Sequence, residues 1–391
     1  MPVKKKRRAA VPVKTLILDK PVIAVTGSAG KTTTKEMIYT ILNLRMPTYK
    51  SMYNKNFLGN TRAHTKRIRD EHKAAVLEYG IYRSGHLRQH CKIIQPSMGV
   101  ITNIGTAHIG NFGGDARQLA LAKTELIRHM KPTGTIFLNW DCPYSREFIQ
   151  QPYLGSFMGK IVTFGKEHEA DYKAGRTKIE GNGFRFECSL RGEKESFFVP
   201  IPGEHNLYNA LAAIAVAHTM GIPVDDIRHG LSQFRGQRKR LTSYRLANNI
   251  QVLDDTFSSN PDAAKAAIDV LSQVGHTTKI AVLASMLEMG KYDVKGHEDV
   301  GKYLSQKNVD YLYTLGSSAR YIARAAIRSG FPANRVRHCL SKAGLHRRLA
   351  KQLQPNTAFL VKGSNRLKMG ETVQFLCRVT AHQSNRNTGK G

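Results

Sequence analysis

Val22-Ile23-Ala24-Val25-Thr26-Gly27-Ser28-Ala29-Gly30-Lys31-Thr32-Thr33-Thr34 is the stretch that decides the fold. Its first four residues are a short apolar run of the kind buried inside a parallel sheet. Two glycines then let the backbone curl. Behind them Met37, Ile38, Ile41 and Leu42 share one helical face. Strand, glycine-rich loop and helix in that order open a parallel α/β unit and form a phosphate loop. Backbone N–H groups in such a loop face phosphate oxygens, Lys31 adds a point charge, and the Thr32 hydroxyl can hold Mg²⁺. Gly27, Ser28, Ala29, Gly30, Lys31, Thr32 and Thr33 are therefore assigned to a bound nucleoside triphosphate, ATP or GTP. Val25 stands where the strict G-x-x-x-x-G-K-[ST] pattern has its first glycine.

Working outward, buried strands are predicted at Ala74–Leu77, Met98–Thr102 and Thr135–Leu138, with a helix around Ala116–His129. Residues 160–200 alternate over short stretches with polar glycine turns, which predicts an antiparallel excursion. Asn206–Met220 is alanine-rich and helical. From Tyr244 a second alternation begins, with strands at Ile250–Leu253, Lys279–Leu283, Tyr311–Leu315 and Ala358–Val361 and helical stretches between them. The expected fold class is α/β: a P-loop central domain with a mostly parallel sheet, then a C-terminal Rossmann-like α/β domain. The expected division is a basic leader over 1–19, the central domain over 20–241, the C-terminal domain over 242–380 and a polar tail over 381–391.

Composition bounds the function. Of 391 residues, 41% are hydrophobic and 23% charged, which excludes wholesale disorder. No apolar run approaches the roughly 20 residues of a membrane-spanning helix. The basic start leads into no apolar stretch of signal-peptide length. Five scattered cysteines without a C-x-x-C pair argue against a disulfide framework and fit a reducing cytoplasm. Lys and Arg number 60 against 29 Asp and Glu, a net charge of +31 that attracts polyanions. Outside the tails this excess is spread along the chain. A nucleic-acid-stimulated P-loop ATPase stays open as a lesser alternative, against which stand the lack of a helicase-like motif set and of an aromatic-basic stacking run. No nucleic-acid partner is expected.

Further segments carry a resemblance. The phosphate loop, Asn54-Lys55-Asn56-Phe57-Leu58-Gly59-Asn60, Glu78-Tyr79-Gly80 and Ile101-Thr102-Asn103-Ile104-Gly105-Thr106-Ala107-His108 resemble, in order and spacing, motifs of the Mur ligase family. So do Ala120–Glu125, Gly203–Ala210, Asp254–Pro261, Met286–Gly290 and Val361–Ser364, most closely in its D-alanyl-D-alanine-adding branch. The resemblance covers roughly residues 20–380. It implies ATP-dependent ligation of a carboxylate to an amine through an acyl phosphate, with ATP and Mg²⁺ bound. It implies catalytic roles for Lys31, Glu78, His108 and Lys123, and metal ligation by Thr32, Glu78 and His108. By the same resemblance Lys123 is carbamylated, Asn206 and Asn209 meet the adenine, Arg240 meets the phosphates and Asp255 reaches the nucleotide from the second domain. Lys362 and Ser364 fall on the substrate side.

The residues themselves allow plainer readings. Glu78 ends an apolar run, which puts its carboxylate at the carboxyl edge of a parallel sheet, where ligands bind. Lys123 alone reads as a solvated helix lysine, and Asn206 with Asn209 as capping or packing on one helical face. Met286 and Met289 read as packing residues. Two departures stand out. Only about 20 residues precede the first strand, too few for the family's N-terminal UDP-sugar-binding domain, and Lys55 and Phe57 interrupt the asparagine-rich loop. The activity class is thus expected to transfer better than the substrate. An anionic carboxylate donor, gathered electrostatically or presented by a partner protein, and an amine from an amino acid or peptide are expected. The alternative is a catalytically weak nucleotide-binding scaffold or partner subunit.

Overall fold

The computed structural model describes residues 15–150 and 152–388, and two sheets organise them. The first contains β1 (Val22–Thr26), β2 (Thr48–Lys50), β3 (Ala74–Glu78), β4 (Met98–Ile101), β5 (Thr135–Asn139), β6 (Lys160–Gly165), β7 (Tyr172–Glu180), β8 (Gly183–Leu190) and β9 (Glu193–Val199). Their spatial order is β2-β3-β1-β4-β5-β6-β7-β8-β9. Pairing is parallel from β2 through β7 and antiparallel between β7, β8 and β9, the excursion expected from the alternation. In β8 the alternation is direct: Phe184, Phe186, Cys188 and Leu190 are buried while Arg185 and Glu187 are exposed. β1 is buried along its whole length between β3 and β4. The chain leaves it to one side for β2 and β3 and to the other for β4. Such a switch point opens a crevice at the carboxyl ends of the strands.

The second sheet contains β10 (Thr242–Leu246), β11 (Ile250–Asp255), β12 (Thr278–Ala284), β13 (Tyr311–Leu315), β14 (Val336–Cys339) and β15 (Thr357–Lys362), in the order β10-β11-β15-β12-β13-β14. All pairs are parallel except β10 with β11. Sequence patterning passed over β2, β10 and β14. They are short edge strands, half-exposed for the most part, and so carry no buried apolar run.

Helices cover both faces of each sheet. In the first half they are α1 (Lys31–Leu42), α2 (Leu58–Thr65), α3 (His86–Ile93), α4 (Ala116–His129), α5 (Pro143–Glu147), α6 (His205–Thr219) and α7 (Val224–Ser232). In the second they are α8 (Pro261–Gln273), α9 (Asp293–Ser305), α10 (Ala319–Arg328), α11 (Lys342–Ala350) and α12 (Gly370–Thr388). α1, α6 and α7 pack on one face of the first sheet and α3 and α4 on the other. Local chemistry starts several of them. Asp115 accepts from the Arg117 and Gln118 amides ahead of α4, and Asn260 accepts from Ala263 N ahead of α8, with Pro261 in its first turn. α12 carries the chain to Thr388, through most of the stretch expected to be a polar tail. Residues 1–14 of the basic leader and 389–391 of the tail lie outside the described residues. No helix among those described is long and apolar enough to cross a membrane.

Candidate active site

A cavity of about 560 Å³ lies between the two sheets, at the carboxyl ends of β1 and β3 on one side and of β11 and β15 on the other. The phosphate loop from Ser28 to Thr33 lines it, as do Glu78, His108, Asn206, Asn209, Arg240 and Asp255. Lys362 and Ser364 reach it from the second sheet. Residues assigned from distant segments of the sequence are thus gathered at one place.

The loop's glycines are required. Gly27 has φ +147°, and a Cβ there would lie 1.9 Å from Thr102 Oγ1. Gly30 caps α1 at φ +79°, and its Cβ would lie 2.1 Å from Asn209 Oδ1. The loop's first half is stitched to the segment after β4. Ser28 N donates to Asn103 O at 2.9 Å, Ala29 N to Asn103 Oδ1 at 2.8 Å, and Gly105 N to Ser28 Oγ at 2.9 Å. The amides of Ser28 and Ala29 therefore shape the loop. The amides with no side-chain cap are those of the first turn of α1, at Lys31, Thr32 and Thr33. They form the anion-binding end of the helix. Gly30→Ala is expected to abolish nucleotide binding in a calorimetric titration and to lower the melting temperature, since the left-handed backbone alone costs about 1–2 kcal/mol for an L side chain.

Lys31 folds along the loop and donates from Nζ to Gly27 O at 2.8 Å. Burial pulls its pKa down, Glu78 opposes that shift and Arg240 adds to it. Glu78 is 2% exposed. Its Oε1 accepts from Asn56 Nδ2 at 2.7 Å, whereas its Oε2 is buried with no donor. A buried carboxylate oxygen without a donor is costly unless a cation completes it. Thr32 Oγ1 accepts from Arg240 Nη2 at 3.1 Å. Among the described residues no group of three or more His, Cys, Asp or Glu could by itself hold a metal ion. That donor set suits Mg²⁺, which commonly takes one or two protein oxygens and completes its shell with phosphates and water.

His108 sits in the left-handed region at φ 63° and packs against Tyr82, ring centroids 4.8 Å apart. Its Nδ1 donates to Glu288 Oε2 at 2.5 Å, so the neutral ring keeps its lone pair on Nε2. Burial, then Lys31, pulls its pKa down, and Glu288 opposes them. Lys123 is not a cavity wall residue. It lies on α4 at 1% exposure, and no carboxylate or carbonyl among the described residues accepts from it. Burial and the nearby Lys31 hold its pKa well below the lysine range, so the reading as a solvated helix lysine fails.

The second unit closes on the first through specific contacts. Thr106 N and Oγ1 both donate to Asp262 Oδ2 at 2.7 Å, and Gly110 N donates to Glu288 O at 3.1 Å. The Arg240 guanidinium lies 4.2 Å from the Phe257 ring centroid. It is thus Arg240, among its basic neighbours, that reaches the phosphate loop. Asp255 pairs with Lys362 Nζ at 2.6 Å across neighbouring strand ends.

Asn206 and Asn209 line the cavity but are partly committed to packing. Asn209 Nδ2 donates to Asn206 Oδ1 at 3.0 Å, Asn206 Nδ2 to Pro202 O at 2.7 Å, and Thr34 Oγ1 to Asn209 Oδ1 at 3.1 Å. They brace α6 against the phosphate-loop helix. Sequence reasoning gave no role to Asn56, Asn103 or Glu288, although each lies inside a segment quoted for its pattern. It also passed over Lys35, fully buried, which donates to Ser51 O and Tyr53 O at 2.6 Å each and pairs with Glu36. Met286 and Met289 are buried in the second core, as packing residues.

Comparison with known proteins agrees with this geometry. The Mur ligase middle domain matches residues 25–217, and the Mur ligase glutamate ligase domain matches residues 239–365. A UDP-N-acetylmuramoyl-tripeptide–D-alanyl-D-alanine ligase of Bacillus subtilis is 31% identical over 356 residues, 91% of this chain and 75% of that protein. The crystal structure of MurF from Acinetobacter baumannii aligns with a TM-score of 0.83 at 30% identity, covering 94% of this chain and 77% of that one. MurF from Thermotoga maritima, solved with ADP, shares the fold at a TM-score of 0.80 and 22% identity. With both domain families matched in order and a 31% identical relative aligned over 91% of this chain and 75% of its own length, the chain belongs to the Mur ligase family.

Proposed function

We propose that this protein joins a carboxylate to an amine at the expense of ATP, through an acyl phosphate, and releases ADP and phosphate. The observation that carries this reading is one cavity that combines the uncapped amides of α1, Lys31 and the donorless oxygen of Glu78. The amides and Lys31 hold the triphosphate and place the γ-phosphoryl group. The substrate carboxylate attacks that phosphorus, and the amine then displaces phosphate from the acyl carbon. Arg240, reaching Thr32 from the segment between α7 and β10, adds charge at the phosphates. Asn206 and Asn209 retain a second amide hydrogen and lone pairs for an adenine edge, and Asp255 lies on the nucleotide side of the second sheet. Closure of that sheet over the cavity excludes water, which protects the acyl phosphate.

Mg²⁺ would be held by Glu78 Oε2, Thr32 and phosphate oxygens, with His108 Nε2 facing a second ion, and would neutralise charge on the phosphates. Burial and the nearby Lys31 favour the neutral amine of Lys123, the form that is nucleophilic toward CO₂. Carbamylation would turn it into an anion beside Lys31. The substrates fitting this reading are an anionic carboxylate donor and an amino acid or peptide amine, used in the cytoplasm. A scaffold role would leave the donorless Glu78 oxygen and the buried Lys123 without purpose.

The test is a screen of carboxylate and amine pairs for ATP consumption, with products identified by mass. ADP and phosphate are expected, because the loop presents the γ-phosphate. AMP and pyrophosphate as the coupled products would exclude the acyl-phosphate route.

A further inference from the structure

Away from the cavity, the positive charge spread along the chain goes unopposed over one stretch. Between Tyr311 and Ala350 the chain has no aspartate or glutamate, while arginine and lysine occur eight times. This stretch builds β13, α10, β14 and α11, the outer end of the second sheet, where β14 is the edge strand. α10 packs on one face of that end through Ile322, Ala323 and Ala326, and α11 on the other through Leu345 and Leu349. The arginines therefore wrap the edge from both sides. Arg320, Arg324 and Arg328, spaced four apart, form an exposed stripe on α10, Arg337 is exposed on β14, and Arg347 and Arg348 are exposed on α11. Arg328 pairs with Glu298. The other five have no carboxylate within ion-pair distance among the described residues. Burial, with Arg320 and Arg324 beside it, pulls the His338 pKa down, so stripe and edge strand share one field.

Apolar side chains stand inside this basic surface. Leu340, directly after β14, is 91% exposed, and Ile327 in the α10 stripe is 41% exposed. Tyr321 on α10 is half-buried and Phe331, after it, is buried. Blunting an edge strand against stray pairing needs charge on the strand itself. It accounts for neither the α10 stripe nor an exposed leucine.

We propose that this edge docks the protein on an anionic phospholipid surface. Guanidinium groups match lipid phosphates in geometry and charge, and Leu340 and Ile327 enter the boundary between headgroups and acyl chains. A nucleic-acid strand fits less well. Sequence-independent strand binding uses exposed rings for base stacking, which the patch lacks, and an apolar tip has no role on a phosphate backbone. β14 lies three strands from β15, about 14 Å across the sheet at ordinary strand spacing, so docking leaves the cavity open.

The test is sedimentation of the full chain with vesicles of phosphatidylcholine, with and without phosphatidylglycerol. Sedimentation with the anionic vesicles alone is expected. Replacing Arg320→Glu with Arg324→Glu, or Arg347→Glu with Arg348→Glu, is expected to lower partitioning by at least about tenfold, since each basic residue near such a surface contributes roughly fivefold. Leu340→Ser, which leaves charge unchanged, is expected to lower it severalfold. Turnover without vesicles and the melting temperature are expected to match wild type in all three variants. Absence of sedimentation, or sedimentation that the edge variants leave untouched, would overturn the proposal. Polynucleotide binding lost in both arginine pairs but kept in Leu340→Ser, without competition from vesicles, would assign the edge to nucleic acid instead.

Discussion

Glu78→Gln is expected to lower ligation by about a hundredfold or more while the protein stays folded. The amide keeps the shape and can still meet Asn56, but it removes the negative charge at the buried carboxylate oxygen that lacks a donor. Losing a single preorganised electrostatic contact of this kind costs about 3–4 kcal/mol of transition-state stabilisation. Lys31→Ala is expected to match it, because in the proposed reaction Lys31 neutralises the phosphoryl group in transfer. Asn56→Ala leaves the carboxylate in place but frees Oε1, and such supporting partners are typically worth about 10–100-fold in metal affinity or activity. ADP release at saturating ATP, measured across a Mg²⁺ titration, separates the cases. The Asn56 variant recovers in part at high Mg²⁺ and the Glu78 variant does not. Ligation within a factor of two of wild type in folded Glu78→Gln would remove Glu78 from the site.

Lys123→Met is expected to lose activity and gain stability. Burial and Lys31 hold the Lys123 pKa well below its ordinary 10.5. The unfolded chain therefore binds this proton more readily than the folded one, and the lysine destabilises the fold wherever the unfolded chain is protonated. That penalty is full below the folded pKa, shrinks as pH rises from there toward the ordinary lysine value, and is gone above it. Methionine has nearly the same shape and no charge. In bicarbonate-free buffer its melting temperature is expected to exceed wild type by a few degrees near neutral pH. The gain should vanish as pH nears 10.5. Ligation is expected to fall by about a hundredfold through loss of the anionic group. Wild type in ¹³C-bicarbonate is expected to show a carbamate resonance that Lys123→Met lacks. A variant that melts lower than wild type near neutral pH would show that Lys123 is stabilised by a partner.

Much of the site was legible because each clue was local. Strand, glycines, lysine and threonine follow one another from Val22 to Thr34, and chain order alone makes them a strand-loop-helix phosphate site. Glu78 could be placed at a sheet edge because it ends an apolar run. Glu288 could not be found this way. It lies 180 residues from His108, in the loop after β12 of the other sheet, and only the packing of the two units brings their side chains to 2.5 Å. The same holds for Asn103, whose carbonyl oxygens take the amides of Ser28 and Ala29 that the motif alone assigns to phosphate.

The sequence by itself determined the α/β class, the order of most strands and helices, the phosphate loop and the types of group at the site. Hydrophobic period, turn residues and motif spacing are read along the chain and need no long-range contact. Tertiary structure decided how those groups are used. It left Oε2 of Glu78 without a donor, buried Lys123 without an acceptor, selected Arg240 over Arg235, Arg238 and Lys239 and gathered arginines without a carboxylate partner around the β14 edge. Whether a polar group is partnered, buried or exposed depends on what the rest of the chain brings beside it, and burial sets both its charge state and its reactivity.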